Sequence, residues 1–101
     1  RGHVLENVVY LELRRRGYTV YVGQLTKGEI DFVAQKPGGI LEYYQVSESV
    51  LDPTTRDREL APLEAVKDQY PKFLLTMDEL YKPHNYNGIQ QCNVLDWLLG
   101  M

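Results

Sequence analysis

Residues 18–47 constrain the fold of this chain more than any other stretch, because they hold three strand-length runs with only turn signals between them. Tyr18-Thr19-Val20-Tyr21-Val22 is rich in β-branched and aromatic residues, Glu29-Ile30-Asp31-Phe32-Val33-Ala34 alternates, and Ile40 to Ser47 forms a third run. Lys27-Gly28 and Lys36-Pro37-Gly38-Gly39 punctuate them. Strands joined by such short turns pair antiparallel, so a three-stranded meander is predicted. In the middle run the alternation predicts Ile30, Phe32 and Ala34 on one face and Glu29, Asp31, Val33 and Gln35 on the other.

Ahead of the meander, Val4, Leu5, Val8, Val9, Leu11 and Leu13 recur at helical spacing, and Arg14-Arg15-Arg16-Gly17 supplies a basic last turn and a glycine stop. These positions cover more than half the helix circumference, which predicts a helix buried along most of its length. Behind it, Leu51 to Thr55 reads as a loop ending in a cap. Arg56 to Tyr70 reads as a helix with Leu60, Leu63, Val66 and Tyr70 at spacings of three and four, with Pro62 marking a kink or a later true start and Pro71 ending it. Residues 72–77 form a strand, 78–87 a polar loop, Asn87-Gly88 a tight turn, and Ile89 to Cys92 a last strand. Asn93 and Asp96 cap a closing helix that stops at Gly100. Because the strand at 72–77 follows a crossover helix, it can pair in parallel with the meander. The predicted class is α/β, a mixed central sheet flanked by helices.

The 101 residues suffice for one domain. Cys92 is the only cysteine, which excludes an internal disulfide and argues against a thiolate zinc site. No apolar run approaches the roughly 18 residues of a membrane span, and no signal peptide opens the chain, so a reduced, cytoplasmic setting is expected. A net charge of −3 argues against a protein that coats nucleic acid, while leaving room for a local basic groove. The chain opens on Arg1 rather than Met, and a fragment of a longer protein is the expectation.

Chemistry is expected where polar side chains interrupt apolar elements: Glu6 and Glu12 on the first helix, Asp31 on the second strand, Gln45 on the third. An ionised carboxylate in a central strand is costly unless it is paired or bound to a cation. If the strands are hairpin neighbours, Asp31 and Gln45 lie side by side, with Ser47 on the face of Gln45 and a helix bearing Glu6 opposite.

This order of residues resembles the PD-(D/E)XK, or restriction-endonuclease-like, nucleases. There a helix Glu, a strand Asp and a strand Glu hold Mg²⁺, and a Lys two residues later assists the attacking water. Glu6 matches the helix acid, and Gly17 follows it as in the archaeal Holliday-junction-resolving members. Asp31 matches the strand acid, Gln45 stands where the second acid belongs and Ser47 where the lysine belongs. Leu5-Glu6-Asn7-Val8-Val9-Tyr10-Leu11-Glu12-Leu13, Arg16-Gly17-Tyr18, Glu29-Ile30-Asp31-Phe32-Val33-Ala34, Tyr44-Gln45-Val46, Arg58-Glu59-Leu60, Tyr70-Pro71-Lys72 and Gly88-Ile89 resemble a C-terminal domain of bacterial and archaeal AAA-type ATPases. That resemblance covers the whole chain, residues 1–101. It implies an αβββαβ core, an N-terminal ATPase module that binds the ATP, and a catalytic set at Glu6, Asp31, Gln45 and Ser47 with the last two degenerate. Glu6 and Asp31 would be the remaining metal ligands. No Gly-x-x-x-x-Gly-Lys-Ser/Thr loop occurs in this chain.

Hydrolysis with Mg²⁺ needs anionic oxygen ligands and a group that orients water. Gln45 offers a neutral carbonyl and Ser47 lacks the charge and reach of lysine, so the implied function is a DNA-binding or assembly module with an impaired site. The alternatives are an active Mg²⁺-dependent nuclease, with Glu29, Lys27, Arg56, Arg58 or Lys67 standing in, and a structural or dimerisation module. Arg56 and Arg58 are the candidate nucleic-acid contacts, and DNA, the ATPase module and a second copy are the candidate partners. A competing reading of Glu6 and Asp31 is a buried polar network in which the Gln45 amide donates to Asp31. Glu12 is expected to pair with Arg15 or Arg16. The strand tyrosines Tyr18, Tyr21, Tyr43 and Tyr44 and Cys92 are expected to pack, and His84 to be exposed.

Overall fold

The computed structural model describes residues 2–25, 28–82 and 84–100. Helix α1 (Gly2–Arg15) ends where the arginines and glycine predict. Gly17 takes φ 88°, its N–H reaches the Arg14 carbonyl at 3.0 Å, and the Tyr18 N–H reaches the Leu13 carbonyl at 3.1 Å. That pair of bonds is a Schellman stop. Val9 and Leu13 are buried, but Val4, Val8 and Leu11 are exposed, so burial along most of the helix is corrected to burial of one face. The helix lies on one side of the sheet, and a single contact surface cannot cover an apolar arc that wide.

Strands β1 (Thr19–Leu25), β2 (Gly28–Gln35) and β3 (Leu41–Val46) form the antiparallel meander. Helix α2 (Pro53–Glu64) then crosses over to β4 (Lys72–Thr76), which pairs in parallel with β3. Next come β5 (His84–Tyr86), β6 (Ile89–Asn93) and α3 (Val94–Leu98). The six strands lie in the order β1-β2-β3-β4-β6-β5. One apolar core, with Phe32, Ala34, Tyr44 and Leu75, receives Val9 and Leu13 of α1 and Trp97 of α3. The other, with Ile30, Tyr43, Leu74 and Ile89, receives Leu60 and Leu63 of α2. The protein is therefore a mixed α/β layer structure with helices on both faces of the sheet. Among the described residues no helix is long and apolar enough to cross a membrane.

Further expectations change. Helix α2 starts earlier and stops earlier than 56–70: the Asp52 side chain caps the Thr54 N–H at 3.0 Å with Pro53 in the first turn, and the helix runs through Pro62 and ends at Glu64, where the Ala65 N–H closes the last turn on the Ala61 carbonyl at 3.1 Å. The loop at 78–87 contains β5, folded against β6 through Asn87 (φ 53°) and Gly88 (φ 95°), and His84 is half-buried there. Finally, Ile30 does not share a face with Phe32 and Ala34. Tyr21 pairs with Val33 and Gly23 with Ile30, so Val22 alone spans both Asp31 and Phe32. This bulge on β2 shifts the side-chain alternation by one and sends Ile30 to the α2 side.

Candidate functional site

The bulge sits where β2 and β3 part. Their ladder runs from Gln35 opposite Leu41 to Phe32 opposite Tyr44 and stops, so the next pair in register would be Asp31 and Gln45. Side chains take over from the backbone there. The Asp31 N–H donates to Gln45 Oε1 at 2.8 Å, and the Val46 N–H donates to Asp31 Oδ2 at 2.8 Å. Each side chain satisfies a backbone donor that the parted strands leave without a ladder partner. Gln45 is buried and its Nε2 donates to the Glu59 carbonyl of α2 at 3.1 Å. The expected donation from the Gln45 amide to Asp31 is thus reversed: the amide oxygen faces the Asp31 N–H because the amide hydrogens serve α2.

Three other carboxylates act on this fork. Burial pushes the Asp31 carboxyl up to about 6, against the lowering effect of the Val46 N–H, and the negative charges of Glu6, Glu59 and Glu29 push it further. Burial also raises Glu59, with Glu6 adding to the shift and Arg58 opposing it. Glu6 comes from α1 and Glu59 from α2, so the sheet is flanked by an acid on each face at the level of the bulge. Glu59 is the member that sequence reasoning missed; its signal was a carboxylate next to the buried Leu60 in α2.

A Mg²⁺ ion demands close, near-octahedral oxygen ligands. Among the described residues no three Asp, Glu, His or Cys side chains form such a set. Asp31 Oδ2 is held by the Val46 N–H, and both polar ends of Gln45 are engaged. The donors present do not fit Mg²⁺, and no hydrolytic step runs through it. Ser47 lies past the end of β3, where its hydroxyl donates to the Ser49 carbonyl at 3.1 Å and its N–H to the Leu75 carbonyl at 3.0 Å.

The candidate cations do not converge on the fork either. Arg56 places its guanidinium 5.8 Å from the centre of the Tyr86 ring, and Arg58 is exposed beside Glu59. Lys67 lines a groove of about 570 Å³ at the other end of the sheet, near the starts of β4 and β6. In that groove Lys72 spends its ammonium on Asp68 Oδ1 and the carbonyls of Asp68 and Tyr70, each at 3.0 Å. Asp68, lowered despite burial by bonds from Tyr43 and Lys72, completes a closed set. Lys27 lies outside the described residues, and Glu29 is exposed.

Over 95 residues the chain is 44% identical to an uncharacterized protein of Haemophilus influenzae, a match covering 94% of this chain and 22% of the relative. The chain thus spans about a fifth of that relative's length. No protein-family model and no solved structure matches it.

The remaining sequence candidates serve the scaffold. Glu12 binds Arg15 Nη2 and Arg16 Nε at 2.7 Å each, and these hydrogen bonds hold its carboxyl down at about 2. Arg16 also donates to the Trp97 carbonyl at 2.8 Å and stacks 4.3 Å from the centre of that ring, tying α1 to α3. Tyr43 and Tyr44 are buried and Cys92 is half-buried with its thiol pushed up, first by burial. Tyr21, by contrast, is exposed. What the fork can do as it stands is bridge two parting strands, with a proton-binding carboxyl between them.

Proposed function

We propose that this chain is a restriction-endonuclease-like domain whose catalytic positions have been converted to structural use, and that it serves as a DNA-binding or assembly module of a larger AAA-type ATPase. Support for the nuclease ancestry comes from the element order α1-β1-β2-β3-α2-β4 and from the Glu6 charge on α1 acting on Asp31 of β2. The observation that carries the loss of catalysis is the occupation of Gln45, whose two polar ends are spent on the Asp31 N–H and the Glu59 carbonyl. ATP would bind in an N-terminal module of the same protein, not in this domain.

A phosphodiester approaching the fork meets Glu6, Glu29, Asp31 and Glu59 with Arg58 as the nearby counter-charge. DNA contact therefore falls to Arg58, beside the acids, and Arg56, turned toward Tyr86, on α2, or is replaced by protein contact. The test is incubation of the chain with branched, single-stranded and duplex DNA, with Mg²⁺ or Mn²⁺, and binding at two salt concentrations. The expected outcome is no cleavage and a salt-sensitive affinity that Arg56→Ala with Arg58→Ala weakens. Cleavage abolished by Asp31→Ala would sink the degenerate reading. Absence of binding at low salt removes DNA and leaves assembly.

A further inference from the structure

Strand β1 is one edge of the sheet, and it lacks the devices by which edges ordinarily avoid pairing. Its residues Thr19–Leu25 include no charge and no proline, and it runs seven residues against three for β5 at the opposite edge. The bulge belongs to β2, so it does not interrupt β1. Tyr21 and Val22, neighbours that point to opposite faces, are 52% and 59% exposed. Helix α2 packs on β2, β3, β4 and β6, leaving Tyr21 uncovered. A row of free backbone groups with apolar side chains on both faces is a template for another strand.

Among the described residues the two ends of β1 differ in charge. At the Thr19 end, Arg14 lines a groove of about 350 Å³ with Gly17, Tyr18, Thr19 and Val20. Among the described residues the Arg14 guanidinium meets the hydroxyl and ring of Tyr10, not a carboxylate. At the other end, the pairing of Gln24 with Glu29 sets an exposed carboxylate beside the strand, with Asp31 and Glu6 behind it. An antiparallel pair of such strands, related by a two-fold axis, brings the basic end of each against the acidic end of the other. The contact is made twice by symmetry. With the axis at Val22, the middle residue, Tyr21 faces Gly23 of the second copy, where the half-buried Val33 side chain that lies over that glycine offers the ring an apolar contact.

We propose that the β1 edge is a homodimer interface, through which two copies of this chain join antiparallel and their sheets become continuous. The inference deepens the assembly half of the proposed function by naming its partner, and it rests on that half alone.

Sedimentation of the full 101-residue chain from low to high micromolar concentration tests it. A monomer–dimer equilibrium is expected. Val22→Lys, which sets two ammonium groups face to face at the axis, should weaken the dimer about tenfold or more. Arg14→Glu should weaken it, and adding Glu29→Arg should restore it. Leu11→Lys, on the outer stripe of α1, should leave it unchanged, and circular dichroism should show all variants folded. A chain that is monomeric throughout, a dimer indifferent to Val22→Lys, or one lost through Leu11→Lys overturns the inference. DNA binding measured on the same samples separates the two readings. A β1 dimer that ignores DNA upholds this inference, and a monomer that binds DNA defeats it while leaving the DNA half of the proposed function standing.

Discussion

Asp31 and Gln45 hold β2 and β3 together across the point where the strands part, the Asp31 N–H on Gln45 Oε1 and the Val46 N–H on Asp31 Oδ2, both at 2.8 Å. Positions that the family resemblance assigns to metal binding here replace ladder hydrogen bonds. The fork is a packing device with an acidic group at its centre.

The Asp31 carboxyl, pushed up to about 6 from an ordinary value of 3.8, makes stability depend on pH. Between those values the folded chain keeps a proton that the unfolded chain has released. Stability is therefore fully present at the acid end of that window and is lost as pH rises through it. The loss is on the order of 2 kcal/mol, with Glu59 contributing in the same direction. Asp31→Asn, whose carbonyl can still accept from Val46, should shrink this slope and raise stability above pH 7 by about 1 kcal/mol. Urea denaturation at about pH 4.5 and about pH 7.5 measures both.

Gln45→Glu restores the acid that the family pattern calls for, yet it removes the donor to the Glu59 carbonyl and adds a charge beside Asp31 and Glu59. A cost of about 2 kcal/mol at neutral pH is expected, smaller at about pH 5 where the acids are partly protonated. Equal destabilisation at both values would contradict the electrostatic part of this account.

Gly23 is required by the bulge, not by its φ. A Cβ there would lie 2.9 Å from Val33 Cγ2 and 3.1 Å from Ile30 Cβ, because the bulge draws both side chains over the glycine. Gly23→Ala should destabilise by about 1–3 kcal/mol, read from thermal melts, although alanine is ordinarily the better strand residue.

Arg15 and Arg16 bind the same carboxylate but should differ in weight. Arg16 also reaches the Trp97 carbonyl and ring, whereas Arg15 is exposed and among the described residues bonds to Glu12 alone. Arg16→Ala should cost about 1–2 kcal/mol and Arg15→Ala less than about 0.5 kcal/mol. Similar losses for the two would show that the tie to α3 carries no weight.

Much of the architecture was legible from local spacing. The Arg-Gly stop of α1, the Asn87-Gly88 turn and the Asn93 cap depend on contacts within a few residues, which short-range chemistry writes plainly, and the meander and the crossover to a parallel β4 follow from element order and the length of the connections. The pairing of Glu12 with its arginines was legible for the same reason.

The site was not. Ile30 changed faces because β1 imposes a register on β2 that a single strand cannot reveal. Helix α2 was misplaced at both ends because the Asp52 cap starts it at Pro53 and the Ala65 cap closes it after Glu64, although the apolar spacing continues to Tyr70. Glu59 joined Asp31 only because α2 crosses the sheet and delivers a carboxylate from the far face. The amino-acid order determined which elements form and which polar residues interrupt them. Which of those residues meet, and whether Gln45 serves a metal or the Glu59 carbonyl, was decided by long-range pairing, since strand register and helix placement are set by the whole packed sheet.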